Sequence, residues 1–169
     1  MNNTFLYGEK YPVTNMEEKS NEIILNIESK KEKCQCPKCK QVSSECHEYY
    51  IRTVQDTPIH NKIVWLKIRV HKYECTNPNC KVKVFTEGID FVRKYKVMTD
   101  YLVQFILGIS MYLSSSCSSL VLSFLGVKVS ADTIDNLIKK IEVKDNKDVE
   151  GIGIDDVAKR KGQSYATAI

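Results

Sequence analysis

Seven cysteines lie in this 169-residue chain, and four of them fall into two close pairs. Cys36-Pro37-Lys38-Cys39 is followed, 35 residues on, by Cys75-Thr76-Asn77-Pro78-Asn79-Cys80. Two thiolates on each of two short turns, brought together by a hairpin, supply the tetrahedral sulfur set of a structural zinc. Two other chemistries use similar residues. A CxxC with an internal proline also serves thiol–disulfide exchange, where the first cysteine opens a helix and has a lowered pKa. Here Lys40, Gln41 and a Ser43-Ser44 turn follow instead of an amphipathic helix, and a second pair is present. Inert core cysteines sit inside apolar runs, whereas these sit on turns rich in Pro and Asn. The spacing therefore favours zinc on Cys36, Cys39, Cys75 and Cys80, with Cys34, Cys46 and His47 within reach as substitutes. Such a site can supply on the order of 10 kcal/mol of folding energy, so the module is expected to unfold on chelation.

Three further groups carry candidate chemistry. On the run Lys62 to Tyr73, Val64, Leu66, Ile68 and Val70 alternate with Trp65, Lys67, Arg69, His71 and Tyr73, which predicts a strand with one core face. Its other face mixes cations with aromatics, and Trp65, Lys67 and Arg69 suit a phosphate backbone and bases. The alternative is a solvated strand face with aromatics covering the sheet. Near the C-terminus, Ala131 to Ile141 predicts a helix that packs Ile134, Leu137, Ile138 and Ile141 inward and presents Thr133, Asn136, Lys139 and Lys140. Asn can read adenine and Lys can hold phosphate; an ordinary helical bundle would show the same periodicity. Last, Gly151-Ile152-Gly153-Ile154 leads to Asp155 and Asp156, the way a short strand delivers a carboxylate to a two-metal site. Two acids after a β-run also occur in plain turns and caps.

The elements that must position these residues follow from composition and pattern. A chain 43% hydrophobic can bury one core or two small ones. A net charge of +4 and a pI near 8.6 permit nucleic-acid binding without requiring it. No basic start with an apolar run marks a secretory signal, and cysteine-rich metal binding suits a reducing cytoplasm. Residues 1–35 read as a lead-in segment with a short strand at Ile23–Ile27 and an exposed, charged continuation. Residues 36–90 read as the zinc-binding β module: Tyr49–Gln55 and Lys62–Tyr73 are its strands, Asp56–Asn61 its turn, and Lys81–Phe85 a closing strand. Residues 97–141 read as three helices, about Thr99–Leu113, Ser116–Leu125 and Ala131–Ile141. Leu102, Phe105, Ile106, Ile109 and Leu113 form the first stripe, the serine block caps the second helix, Gly126 closes it, and Ser130 caps the third. The last two have the length and turn of a helix-turn-helix. Tyr101 to Val127 carries no charge and is long enough for a bilayer, but Gln104, Gly108 and the serines interrupt it, and no membrane association is expected. Residues 142–150 read as a charged linker and 151–169 as the start of a further domain.

In this order the parts resemble the N-terminal portion of bacterial insertion-sequence transposases of the ISL-three family. The resemblance rests on the CPxC knuckle, Asp56-Thr57-Pro58-Ile59, Lys72-Tyr73-Glu74-Cys75 with Asn77-Pro78-Asn79-Cys80, and Phe85-Thr86-Glu87. It continues through Val129-Ser130-Ala131-Asp132-Thr133, Ile152 to Gly162, and Tyr165-Ala166-Thr167. It implies an α+β chain: a zinc-ribbon-like module, a helix-turn-helix, and the first strands of an incomplete RNase H-like domain in which Asp155 is the first catalytic acid and Asp156 its neighbour. It implies double-stranded DNA as partner, at the terminal inverted repeats of an element, with a homodimer allowed and a bacterial nucleoid location. Zinc would be structural, and Mg²⁺ would serve only the full catalytic domain. The sequence reaches Ile169 before any place for the other two acids, so a truncated, inactive and poorly ordered catalytic start is expected. The alternative is a stand-alone zinc-ribbon and helix-turn-helix regulator.

Overall fold

Residues 6–141, 155–160 and 164–168 are described by the structure, a computed structural model. A five-stranded sheet dominates it. Strands β1 (Val13–Glu18), β2 (Glu22–Glu28), β5 (Cys46–Ile59) and β6 (Lys62–Glu74) lie in the order β1-β2-β6-β5, and β7 (Val84–Thr86) pairs with β6. The long β5–β6 hairpin is antiparallel, with Val54 opposite Leu66 and Arg52 opposite Ile68. Strand β2 lies parallel to the other edge of β6, Ile23 beside Val64 and Ile27 beside Ile68. Where β2 stops, β7 continues along β6, with Phe85 opposite Tyr73.

Period-two patterning sets the core face. Ile23, Leu25, Ile27, Val54, Val64, Leu66, Ile68 and Val70 are buried together, as the alternation of β6 requires. Their cover is not a helix. It is Tyr7, Tyr11 and the segment Ile89–Val92, with the Tyr7 and Phe91 rings 4.8 Å apart and Tyr11 edge-on to Phe91 at 5.2 Å. Residues 13–28 are thus not a lead-in to the first knuckle but two strands of the main sheet. Strand β1 was invisible to patterning because Thr14 to Glu18 form an exposed edge with no apolar face. The charged continuation is not wholly exposed either: Ser29 is buried and Lys31 half-buried.

The hairpin turn also moves. Asp56 to Ile59 belong to β5, with a register shift between Asp56 and Ile59 where Pro58 sits, and the turn is His60-Asn61 alone. Both turn residues have positive φ, 51° and 57°, the two-residue geometry that matches strand twist. Pro58 is tolerated because a bulge does not need its missing N–H.

Three helices follow: α1 (Asp100–Ser110), α2 (Ser115–Phe124) and α3 (Ala131–Ile138). Each starts on a hydroxyl: Thr99 accepts from Leu102 N–H, Ser114 from Cys117 N–H and Ser130 from Thr133 N–H. Leu102, Ile106, Leu122, Val127 and Ile134 make a second core, flanked by Phe105, Ile109 and Leu137. Leu113 lies beyond the end of α1 and is exposed, and Ile138 and Ile141, expected inside, are exposed because α3 stops at Ile138. The uncharged stretch is two short helices, and no described helix is long and apolar enough to cross a membrane.

The helices dock on the far end of the hairpin. Gly126, at φ +81°, ends α2 and lies so close to the hairpin turn that an added Cβ would stand 2.4 Å from the Asn61 carbonyl oxygen. With its amide turned so that nitrogen faces the Lys128 carbonyl and oxygen the Lys128 N–H, Gln55 pairs with both, at 3.0 and 2.9 Å. Buried Asp56 accepts from the Thr99 and Tyr7 hydroxyls, tying the α1 cap to the sheet. Strands β8 (Asp155–Arg160) and β9 (Ser164–Ala168) form a separate antiparallel pair.

Candidate metal centre and nucleic-acid interface

The first knuckle is a miniature hairpin. Strands β3 (Cys34–Gln35) and β4 (Val42–Ser43) pair, Cys36 N–H donates to the Gln41 carbonyl at 2.9 Å, and Lys40 N–H donates to the Cys36 carbonyl at 3.0 Å. Lys40 takes a left-handed φ of 62° to close it. No helix begins at Cys36, so the local structure that thiol–disulfide exchange would need is missing there. The second knuckle caps the end of β6. Cys75 N–H donates to the Lys83 carbonyl at 2.7 Å and Cys80 N–H to the Asn77 carbonyl at 3.0 Å, while the Asn77 side chain accepts from Asn79 N–H.

These turns bring four sulfurs together from the two knuckles. All four Sγ atoms lie within 4.8 Å of one another, with Cys36–Cys80 at 3.9 Å and Cys39–Cys75 at 3.5 Å. A Zn–S bond of about 2.3 Å gives a tetrahedron edge of about 3.8 Å, so the thiols fit zinc as they stand. Cys36 and Cys80 are buried, and Tyr73 and Phe85, stacked with centroids 6.1 Å apart, form the apolar wall. Backbone N–H groups, first that of Cys39, hold the Cys36 thiol down to about 6. Against the Asn77 N–H, burial and the neighbouring thiols push Cys75 up to about 12. Zinc binds thiolates, so metal entry releases protons from the set to solvent. The four cysteines bind a structural zinc. Among the described residues they form the metal-holding group, and the three substitutes lie outside it. Cys34 is half-buried, with a thiol pushed up by burial and by Glu87; Cys46 is exposed; His47 meets the Glu74 carboxylate at 3.2 Å.

The outer face of β6 is less free than its pattern suggests. Trp65, Lys67 and Arg69 are half-buried between β2 and β5. Arg69 donates to Glu28 at 2.9 Å and stacks on Tyr49 at 3.7 Å, so the sheet already uses its charge. His71 is bound through its backbone and ring to Glu87, at 2.7 and 3.1 Å. Tyr73 is not part of the outer face at all: it is buried in the zinc wall, and its hydroxyl donates to the Lys31 carbonyl.

On α3 Asn136 is exposed and Thr133 is half-buried, its hydroxyl 2.9 Å from that of Ser130, while Lys139 and Lys140, expected on the helix, are exposed just past its end. Thr133, Asn136 and Lys140 line one wall of a groove of about 510 Å³. The same groove is lined by Arg93, Tyr95 and Lys96, which sequence reasoning passed over. The signal was present in the run Arg93-Lys94-Tyr95-Lys96, an aromatic among cations. Asp155 and Asp156 open β8 in register with Ala168 and Thr167; the apolar run before them lies outside the described residues.

Residues 32–80, which hold both knuckles and the hairpin, match the family described as the zinc-finger of transposase IS204/IS1001/IS1096/IS1165. No curated protein and no solved structure matches the chain. The zinc-binding segment is thus similar to this transposase zinc-finger family, which supports the likeness of the chain to ISL-three-family transposases.

Proposed function

We propose that this chain binds double-stranded DNA as the N-terminal part of an insertion-sequence transposase, with the terminal inverted repeats of the element as its target. Helices α2 and α3, joined by residues 126–130, act as the helix-turn-helix, and α3 is the recognition helix. Asn136 reads a base edge, Thr133 stands beside it, and Lys139 and Lys140 hold phosphates. Trp65, Lys67 and Arg69 contribute on the sheet face, Arg69 least, since its bond to Glu28 must first open. Inverted repeats are two-fold related, which suits a pair of chains. Asp155 and Asp156 stand at the start of the acid set that holds Mg²⁺ in an RNase H-like domain.

One observation carries this reading: the transposase zinc-finger match falls on residues whose four sulfurs form a zinc tetrahedron, on the same sheet that carries three capped helices. The test is selection from a pool of randomised duplexes with the zinc-loaded chain. Enrichment of one motif is expected. Recovery of unselected sequence at every salt concentration would refute the reading.

A further inference from the structure

The turn that lines the same groove as α3 is built to project rather than to pack. Its ends are fixed: Phe91 and Val92 are buried in the sheet core, Val97 accepts from Gln55 N–H at 2.8 Å, and Thr99 N–H donates to the Gln55 carbonyl at 3.0 Å. Its middle is fixed as well. One guanidinium nitrogen of Arg52 donates to the carbonyls of both Arg93 and Lys96, at 2.7 and 2.6 Å, and Lys96 N–H closes the turn onto Arg93 at 3.1 Å. From this clamped base the side chains of Arg93, Lys94, Tyr95 and Lys96 point into solvent. Tyr95 is 86% exposed and has a φ of 62°, a conformation that costs a non-glycine residue about 1 kcal/mol. Lys94 Nζ lies 4.9 Å from its ring centroid.

At 86% exposure the ring buries almost no area in the fold. A tyrosine on a rigid turn, flanked by three cations and lining the same groove as the exposed Asn136 of α3 and Lys140 just past its end, matches a polyanion with sugars and bases. Among the described residues Asp100 is the acid lining the groove, Arg93 meets it at 3.2 Å, and neither Lys94 nor Lys96 has a carboxylate partner.

We propose that the Arg93–Val97 turn is a second DNA-contacting arm beside α3. Lys94 and Lys96 hold the phosphate backbone next to the segment that α3 reads, and Tyr95 lies against the adjoining sugar or base. This rests on the DNA-binding reading of α3 and adds a contact outside the two helices of the helix-turn-helix itself.

The experiment measures the salt dependence of binding by fluorescence anisotropy, using the full zinc-loaded chain and a random-sequence duplex as probe. The arm predicts that the Lys94→Gln and Lys96→Gln double variant lowers the slope of log K against log salt by about 1.8, or roughly 0.9 per phosphate contact. Tyr95→Ala is expected to weaken binding with little change of slope. All three residues are exposed, so unchanged melting curves are expected for these variants. If the double variant keeps the parental slope while Lys139→Gln with Lys140→Gln lowers it, the arm is wrong and α3 stands. If neither pair changes the slope, or the chain binds no duplex, both readings fail.

Discussion

Glu87 and Asp56 are buried carboxylates whose partners explain why these acids sit inside the protein. Glu87 accepts from Ser29 Oγ at 2.7 Å and from His71, joining the ends of β2 and β7 to β6. Replacing Glu87 with Gln sets an amide N–H against one of these donors, so Glu87→Gln is expected to lower stability by about 1–3 kcal/mol in urea unfolding. Tyr7 meets Asp56 in the other network, and burial first, then the Asp56 charge, pushes its hydroxyl pKa above the ordinary tyrosine range. A raised folded pKa makes the stabilisation complete below the unfolded value of about 10, and it is lost as pH rises above that value. The melting temperature should therefore fall between pH 9 and pH 11, and less steeply in Tyr7→Phe; equal slopes would place the alkaline loss elsewhere. The cysteine ligands were legible from spacing alone. The two carboxylates were not, because Asp56 reads as turn chemistry and Glu87 follows an unremarkable strand: their burial depends on partners 43 and 58 residues away.

Among the elements, the helices were the most legible, because a hydroxyl before a 3.6-period apolar stripe is a local signal. Thr99 combines that cap with the bond to Asp56, and Thr99→Ala is expected to cost about 2 kcal/mol. Hydrogen exchange would report it as faster opening of α1. Gly126→Ala meets both a left-handed φ and the Asn61 carbonyl, so it should separate the helices from the hairpin turn and expose Val127. An unchanged exchange pattern in that variant would remove the docking contact from the account. The strands were less legible. The alternation of β6 fixed its core face, but Tyr73 leaves the outer set because β7 and the knuckles wrap the end of the strand. Edge strand β1 carries no period-two signal, and its place is set by pairing with β2.

On the scale of the whole molecule, zinc and helices occupy opposite ends of one hairpin. With 13 residues at roughly 3.3 Å each, β6 is about 40 Å long, the knuckles at its last residue and the Gly126 contact at its first. The sheet has its own core, separate from the zinc wall and the helical core. Chelation should therefore melt the knuckles at residues 34–43 and 75–83 while β2, β6 and α1 keep their exchange protection, a narrower loss than the cysteine spacing alone implies. Loss of protection throughout would mean that zinc supports the entire fold. The order of modules was readable from the sequence; this separation was not, since it depends on the unpatterned β1 and on the Tyr7, Tyr11 and Phe91 cover. DNA recognition through α3 is the central claim, and the ratio of specific to random-duplex affinity for Asn136→Ala tests it most directly. The account predicts about a tenfold fall in that ratio with random-duplex binding retained. An unchanged ratio would contradict it.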